Sequence, residues 1–387
     1  MMKIGIIPLR KGSKGIPGKN RKMLLGRPLF AWTLIEANKS LLDKIYVYSD
    51  DDLIIEYVKK EYSDQKKIVV MNRSPESASD TASTEFAMWE LASKLNFNFD
   101  SITLIQATSP LLTSFDINKT IKALAEGYDS SLTVAPIKRF FWDKSGNSLN
   151  YNYLKRPRRQ DFEYSYVENG ACYTITKEKF IEKRNRIFGK VKIIEMEENS
   201  MIEIDEPHDF DIVEKLLEAK LRKRIKSYNS IKLLCLDVDG VLTDGTAQYI
   251  DDGEYSKNFS MFDGKGLEII RKSGVKVCVI TSENSSVVKA RIKKLNIDLA
   301  YYGIKDKYRV LDDVLQKQNI KWSQTAYIGD DINDYTNIIA SGISFCPENA
   351  ADKIKAISSI VLSKKGGNGA VREACEIILK LNRNDNF

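Results

Sequence analysis

GIIPLRKGSKGIPGKN, Gly5–Asn20, runs from an apolar strand into a basic, glycine-rich turn. Arg10, Lys11, Lys14 and Lys19 supply charge, and Gly12, Gly15 and Gly18 let backbone N–H groups approach an anion. The turn is not a Walker A loop: no G-x-x-x-x-G-K-[ST] register fits, and Lys19 is followed by Asn20. A basic surface turn is the plain alternative, so the surrounding chain must decide what this stretch does.

Outward from the turn, strands and helices alternate. Lys3–Leu9 reads as a buried strand and Pro28 opens a helix. Strands follow at Lys44–Tyr48, Lys66–Val70 and Ser101–Gln106. Helices are expected over Asp51–Glu61, about Asp80–Leu95 and Ser114–Glu126. This rhythm implies a mainly parallel, doubly wound sheet, whose ligands bind beyond the carboxyl ends of the strands. The loops LRKGSKG, SDD and QATSP all fall there. Phe140–Phe162, aromatic and basic with a Ser-Gly-Asn turn, breaks the rhythm and reads as an excursion, a hairpin reaching a partner subunit. Strands return at Ala171–Thr176 and Val191–Glu195, and a helix from Asp209 enters the basic run Glu218–Lys226. The alternation restarts at Ile231, with strands in IKLLCLDVDG, VKVCVITS and TAYIGDD and helices near Gly266–Lys272, Ser286–Leu295, Lys307–Gln318 and Asn333–Ser341. The boundary is placed at Ser227–Ser230, giving domains 1–228 and 229–387.

The bulk numbers exclude several classes. The 387 residues are 43% hydrophobic and 29% charged, as in ordinary globular proteins. No apolar run is long enough for a membrane span, and the first one stops at Leu9 before Arg10 and Lys11. A cytoplasmic location is expected. Five scattered cysteines, placed mostly in apolar strands, suggest buried thiols without disulfides or zinc. Of the net charge of +7, residues 1–228 hold +6, much of it in Glu218–Lys226. That run reads as a helix end or linker, since no wide basic face interleaved with aromatics suggests nucleic acid. There is one histidine, His208, in DEPHDF where a helix begins. Two sites cannot share it, so the chemistry falls to carboxylates, Lys/Arg, backbone amides and oxygen-held metal.

In the second half, LDVDGVLTDG (Leu236–Gly245) puts Asp237 and Asp239 just past a strand. Downstream strand ends offer Thr281, then Lys305 and Lys307, then Asp330, Asp331 and Asp334. Histidine-free phosphoryl transfer needs this set. One aspartate attacks phosphorus, a second protonates the leaving alkoxide, and Mg²⁺ on carboxylates offsets the charge. DVDGVLTDG, ITSEN, KDK and GDDIND resemble the four motifs of the haloacid dehalogenase phosphatases. The resemblance implies Asp237 as nucleophile, Asp239 as acid/base, Thr281 and Lys307 as phosphate ligands, and a Mg²⁺ site drawn from Asp237, Asp239, Asp330 and Asp331, with Asp331 or Asp334 orienting the metal shell. The GGNGAVRE tail (Gly366–Glu373) and the short interval between Gly245 and Gly274 resemble the octulosonate 8-phosphate and nonulosonate 9-phosphate phosphatases. These lack a large cap, assemble as tetramers and send the tail to an active site, which makes Arg372 a candidate substrate contact.

In the first half, NRSPESASDTAST supplies Arg73, Asp80 and Ser83, LIQATSPLLT supplies Gln106, and RPRRQ gives Arg156, Arg158, Arg159 and Gln160 for an anionic ligand. MIEIDEP places Glu203 and Asp205 on the same face of a strand, since side chains at i and i+2 align, and paired acids beside a phosphate loop are natural Mg²⁺ ligands. Tyr164, Tyr166 and Phe162 are assigned to the core rather than to a stacking surface. IIPLRKGSKGIPGKN, LIQATSPL, RRQDFEYSYVENGACYTI and IEIDEPHDF resemble the CMP-sialic acid synthetases. The resemblance implies CTP as co-substrate, a 2-keto sugar acid as acceptor and Mg²⁺. It implies Arg10, Ser13, Lys19, Asn20, Arg73 and Ser83 around CTP, with Arg10 and Lys19 catalytic, and Gln106, Arg158 and Gln160 around the sugar acid. It also implies dimer contacts through Phe140–Phe162. The family's Asp-x-Asp is here Glu203-Ile-Asp205, and its R-G-G-S is R-K-G-S.

The expected fold is therefore α/β with two doubly wound domains, an N-terminal nucleotidyltransferase type and a C-terminal haloacid dehalogenase type, Rossmann-like and without a large cap. The expected ligands are CTP, a nonulosonic acid and a sugar-acid phosphate, acting in a homo-oligomer with no nucleic acid and no membrane. Octulosonate as substrate of one or both halves, or a second domain serving as an oligomerisation module, remain as alternatives.

Overall fold

The computed structural model describes residues 2–13, 15–223, 230–250 and 253–383. The chain divides into two compact units, Met1–Leu24 with Pro28–Leu216, and Leu217–Phe387 with Leu25–Arg27. The expected boundary at Ser227–Ser230 and the loop residue Lys14 lie outside the described residues, Ser230 apart.

The first unit is built on a seven-stranded sheet in the order Ile68–Asn72, Lys44–Ser49, Lys3–Leu9, Ser101–Ile105, Ser165–Thr176, Ser130–Ile137, Val191–Glu195. The first four strands are mutually parallel; Ser165–Thr176 runs antiparallel to both of its neighbours. Side chains alternate across the central strand. Ile4 and Ile6 pack with Tyr46, Met88 and Leu104 on one face, and Ile7 and Leu9 with Phe30, Val47 and Ile54 on the other. Burial on both faces is what a parallel sheet requires. Polar caps set the helices: Asp51 accepts from Leu53 N, Ser83 from Phe86 N, and Thr113 forms a capping box with Asp116.

Several expectations change here. The helix expected from Asp80 begins at Thr84, because Ser83 is its cap, and a short turn at Pro75–Ala78 precedes it. Ser130–Ile137 is a strand that was not anticipated, and Ala171–Thr176 extends back to Ser165. The excursion holds one antiparallel bridge, Trp142 to Ser148, and a turn at Tyr153–Lys155. Its order comes from rings: Phe140 packs on Tyr151 (4.1 Å) and Phe162 (4.8 Å). Tyr164 and Tyr166 are exposed, 58% and 45%, and are not core. Tyr164 lies under the Lys138 ammonium and the Tyr166 hydroxyl donates to Glu195, so each ring keeps a polar partner at the surface.

The second unit has a six-stranded, all-parallel sheet in the order Leu299–Tyr301, Lys276–Ile280, Leu233–Leu236, Thr325–Ile328, Ile343–Cys346, Ile360–Val361. Leu234, Leu236 and Val238 enter a core with Val279, Ile328 and Phe345. Cys235 and Asp237, one residue out of phase, face the other way. Between Gly245 and the helix Met261–Lys272, the regular structure among the described residues is a two-stranded hairpin, Gln248–Ile250 with Gly253–Ser256. The five cysteines are free and buried, four in strands and Cys375 in the helix Ala370–Asn382. Among the described residues no helix is long and apolar enough to cross a membrane.

Candidate active sites

In the first unit, Lys3–Leu9 lies between Lys44–Ser49 and Ser101–Ile105, strands whose connections leave in opposite directions, so a crevice opens at its carboxyl end. A cavity of about 300 Å³ occupies it, walled by Arg10, Lys19, Asn20, Arg73, Asp80, Thr84, Gln106, Thr108, Glu203 and Asp205. The opening turn is ordered by its own contacts. Asn20 Nδ2 donates to the Arg10 carbonyl at 3.1 Å, Asp50 accepts from Lys11 N at 2.8 Å, and Arg10 pairs with Asp80 at 2.8 Å. Lys19 Nζ donates to the Ile204 carbonyl at 2.7 Å and to Asp205 at 3.1 Å, tying the basic turn to the acidic segment.

Glu203 and Asp205 do line one cavity, but not from a strand: residues 202–205 join no ladder, and the recorded main-chain bond of that stretch runs from Ile204 N to Thr108 O. Burial, with the Asp205 charge adding to it, pushes the Glu203 carboxyl up to about 7. Two carboxylates lining one cavity suit a divalent cation, and the oxygen donors fit Mg²⁺. Gly170, at φ +64, lies under the Glu203 carboxylate, where any Cβ would collide with it.

Ser13 and Ser83 are not in the cavity wall: Ser13 is half-buried on the same turn, and the Ser83 hydroxyl is spent capping its helix. Arg158 and Gln160 are also elsewhere. Arg158 pairs with Asp161 at 2.7 Å and lines a separate cavity of about 640 Å³ with Lys138, Arg139, Arg156 and Arg159 among the excursion's aromatic rings. Gln160 is exposed. His208 is exposed at the start of the helix Pro207–Lys223 and lies 3.3 Å from Asp209.

In the second unit, the predicted residues gather at the carboxyl ends of three adjacent strands. Asp237 follows Leu233–Leu236, Thr281 follows Lys276–Ile280, and Asp330 follows Thr325–Ile328. Carboxylate oxygens of Asp237, Asp330 and Asp334 lie within 4.8 Å of one another. Lys307, first residue of its helix, reaches Asp237 Oδ2 at 2.6 Å and Asp334 Oδ1 at 2.8 Å. Asp334 also accepts from the Tyr327 hydroxyl and from Asp330 N, so both its oxygens are engaged. Burial, with the neighbouring carboxylates adding, pushes Asp237 up to about 7 and Asp330 to about 8. Burial works against the Lys307 ammonium, but Asp237 and Asp334 outweigh it and raise its pKa. These carboxylates fit a Mg²⁺ ion held chiefly by Asp237 and Asp330. Gly240, at φ +76, gives Asp330 the room that a Cβ would fill.

Asp239 and Asp331 stand outside this cluster. Asp331 is exposed and caps the turn Ile332–Asp334, so Asp334 is the acid that joins Asp237 and Asp330. Asp239 Oδ1 accepts instead from Lys257 Nζ at 2.7 Å, a partner that no motif marked. Thr281 is buried, its hydroxyl accepting from Glu283 N at 3.2 Å. Within this chain the tail lies on the loop that follows Asp237, with Gly367 N donating to Val241 O at 3.0 Å. Arg372 pairs with Glu376 on its own helix at 2.6 Å, while its backbone N donates to the buried Asp263.

A family model described as cytidylyltransferase matches residues 4–233, and one described as haloacid dehalogenase-like hydrolase matches 303–373. The chain is 32% identical to the N-acylneuraminate cytidylyltransferase of Oncorhynchus mykiss, over 98% of this chain and 88% of that protein. Over 39% of this chain and 84% of the relative, it is 37% identical to the 3-deoxy-D-manno-octulosonate 8-phosphate phosphatase KdsC of Haemophilus influenzae. A solved 3-deoxy-D-manno-octulosonate 8-phosphate phosphatase from Moraxella catarrhalis, in complex with magnesium, phosphate and KDO, shares 38% identity over 43% of this chain and 93% of that one, with a TM-score of 0.39. The chain therefore belongs to the cytidylyltransferase family and carries a haloacid dehalogenase-type hydrolase in its second unit.

Proposed function

We propose that the first unit transfers CMP from CTP to a nonulosonic acid, and that the second hydrolyses the 9-phosphate of such an acid through an aspartyl-phosphate. The observation that carries the first half is the joint wall of one cavity, which Arg10, Lys19 and Arg73 share with Gln106, Glu203 and Asp205. Cations there offset the charge of a triphosphate, and the anomeric hydroxyl of the sugar acid attacks the α-phosphorus with pyrophosphate leaving. Arg158 and Gln160, outside that wall, serve a neighbouring subunit's site in a homo-oligomer. The second half rests on buried Asp237, held by Lys307 and backed by Asp330 and Asp334. Asp237 attacks phosphorus, Asp239 gives a proton to the leaving alkoxide, and water then cleaves the acyl phosphate. Mg²⁺, when bound, neutralises charge on the phosphoryl oxygens in both units.

Support for a nine-carbon acid comes from the whole-chain relative, an N-acylneuraminate cytidylyltransferase matched over 98% of this chain, phosphatase unit included. A second reading has its own observation: the relative of the second unit alone acts on an eight-carbon octulosonate phosphate by its name. Pyrophosphate release from CTP should be assayed against a panel of eight- and nine-carbon keto acids, with phosphate release from their phosphates in parallel. Turnover of N-acetylneuraminate-type acids and their 9-phosphates is expected. Turnover of octulosonates alone overturns the nine-carbon reading, and no phosphate release from any sugar phosphate overturns the phosphatase.

A further inference from the structure

Lys257 is the basic residue that the motifs do not account for. Its side chain is 6% exposed, yet it carries an ammonium. A buried cation needs a charged partner, and the recorded partner among the described residues is Asp239, with Nζ 2.7 Å from Oδ1. The Thr243 hydroxyl approaches the same oxygen at 3.4 Å. Both contacts fall on Oδ1, and no described residue donates a recorded hydrogen bond to Oδ2. The segment is anchored a second time by its next residue, since Asn258 Nδ2 donates to Asp244 Oδ2 at 3.2 Å. Lys257–Asn258, following the hairpin strand Gly253–Ser256, thus spans two acids of the loop that carries the nucleophile.

We propose that Lys257 is a positioning residue for the phosphatase, fixing Oδ1 of Asp239 so that Oδ2 is the oxygen that transfers the proton. The proposal rests on the aspartyl-phosphate reading above. In the first step an oxygen of Asp237 bonds to phosphorus, the bond from phosphorus to the sugar oxygen breaks, and the proton on Oδ2 of Asp239 goes to the leaving alkoxide. In the second, water attacks phosphorus, its proton goes to Oδ2, and the acyl phosphate breaks to release inorganic phosphate and the Asp237 carboxylate. A carboxylate free to rotate would present either oxygen at varied angles, and proton transfer loses rate with misalignment.

The test separates positioning from general damage by the leaving group. A sugar alkoxide needs the proton in the bond-breaking step, whereas p-nitrophenolate leaves readily without it. In Lys257→Ala, kcat/KM for N-acetylneuraminate 9-phosphate or octulosonate 8-phosphate, whichever the parent turns over, should fall about 30- to 100-fold. The loss on p-nitrophenyl phosphate should stay below about threefold. Lys257→Gln should match Lys257→Ala, Lys257→Arg should restore part of the loss, and CMP transfer by the same chains should be unchanged, which reports an intact first unit, while the retained p-nitrophenyl phosphate turnover reports a folded second unit. Equal losses on both substrates, or no loss on the sugar phosphate, overturn the proposal while leaving the phosphatase in place. A parent chain that releases no phosphate from either substrate overturns the phosphatase reading and the proposal with it.

Discussion

Lys307 Nζ lies 2.6 Å from Asp237 Oδ2 and 2.8 Å from Asp334 Oδ1, with the three side chains 0%, 6% and 0% exposed. One buried ammonium thus balances two buried carboxylates. Replacing it by alanine leaves the two acids facing each other in a low-dielectric site, and removing one partner of such a buried group costs about 3–5 kcal/mol. Lys307→Ala should therefore lower the urea midpoint of the second unit's unfolding, read by circular dichroism, and abolish phosphate release as well. A midpoint equal to the parent's would mean that the acids are not held by this lysine.

Asp237→Asn tests the nucleophile with less structural cost, since the amide keeps the shape and the acceptor oxygen that Val238 N uses at 2.7 Å. Phosphate release should fall by at least about a thousandfold. CMP transfer by the same chain should stay within about twofold, because no cavity residue of the first unit is altered. Retained phosphate release would remove Asp237 from the chemistry.

Metal and pH should act together. Asp237 is pushed up to about 7 and Asp330 to about 8, both from an ordinary value of 3.8. Between those limits the folded chain binds more protons than the unfolded one, so without metal its stability falls as pH rises from about 4 to about 8. Mg²⁺ held by the ionised carboxylates, as proposed, would relieve that loss. The gain in Tm on adding Mg²⁺ over a chelator should be larger at about pH 8 than at about pH 5.5, read by differential scanning fluorimetry. Equal gains at both would place the metal elsewhere.

The legible parts of the molecule were those fixed by local pattern. An apolar run closed by bases marked the strand Lys3–Leu9 and one closed by acids marked Leu233–Leu236, and the loops after them hold the site residues because parallel strands deliver successive loops to one edge. Ser130–Ile137 was missed: its Pro136 and two serines weaken the strand signal, and pairing on both sides supplies what propensity does not. The acid segment 202–205 looked like a strand because Ile202 and Ile204 alternate with acids, but it has no ladder to join. Lys257 could not be found from spacing. It meets Asp239 because the second hairpin strand, Gly253–Ser256, leads into it, and one lysine in a charged stretch carries no period.

Gly170 and Glu203 should behave as a coupled pair. Glu203 is one methylene longer than the aspartate usual at this position of the family's motif, and its carboxylate rests where a Gly170 Cβ would be. Gly170 also holds φ +64, which costs a residue with a Cβ about 1 kcal/mol. Gly170→Ala should therefore sharply lower kcat/KM for CMP transfer. Glu203→Asp withdraws the carboxylate, so the alanine should cost less in that background, with a coupling energy of about 1 kcal/mol in the double-mutant cycle. Strict additivity would show that the glycine serves its backbone conformation alone.

Arg158 raises the question of which subunit it serves. It is 75% exposed, paired with Asp161, and lines the excursion's cavity rather than the one containing Arg10 and Lys19. An exposed arginine pair contributes little stability, so its loss should leave folding intact. If Phe140–Phe162 reaches a neighbour's site, Arg158→Ala and Lys19→Ala each disable CMP transfer, but through different copies of the chain. Co-expressed with distinct tags and purified through both, the mixed oligomers should regain part of the parent's rate, because one kind of site pairs an intact Lys19 with an intact Arg158. The homo-oligomers of either variant supply the baseline. Mixed oligomers no faster than that baseline would mean that Arg158 serves the site of its own chain, and would require the excursion to close over the Arg10 cavity when CTP binds.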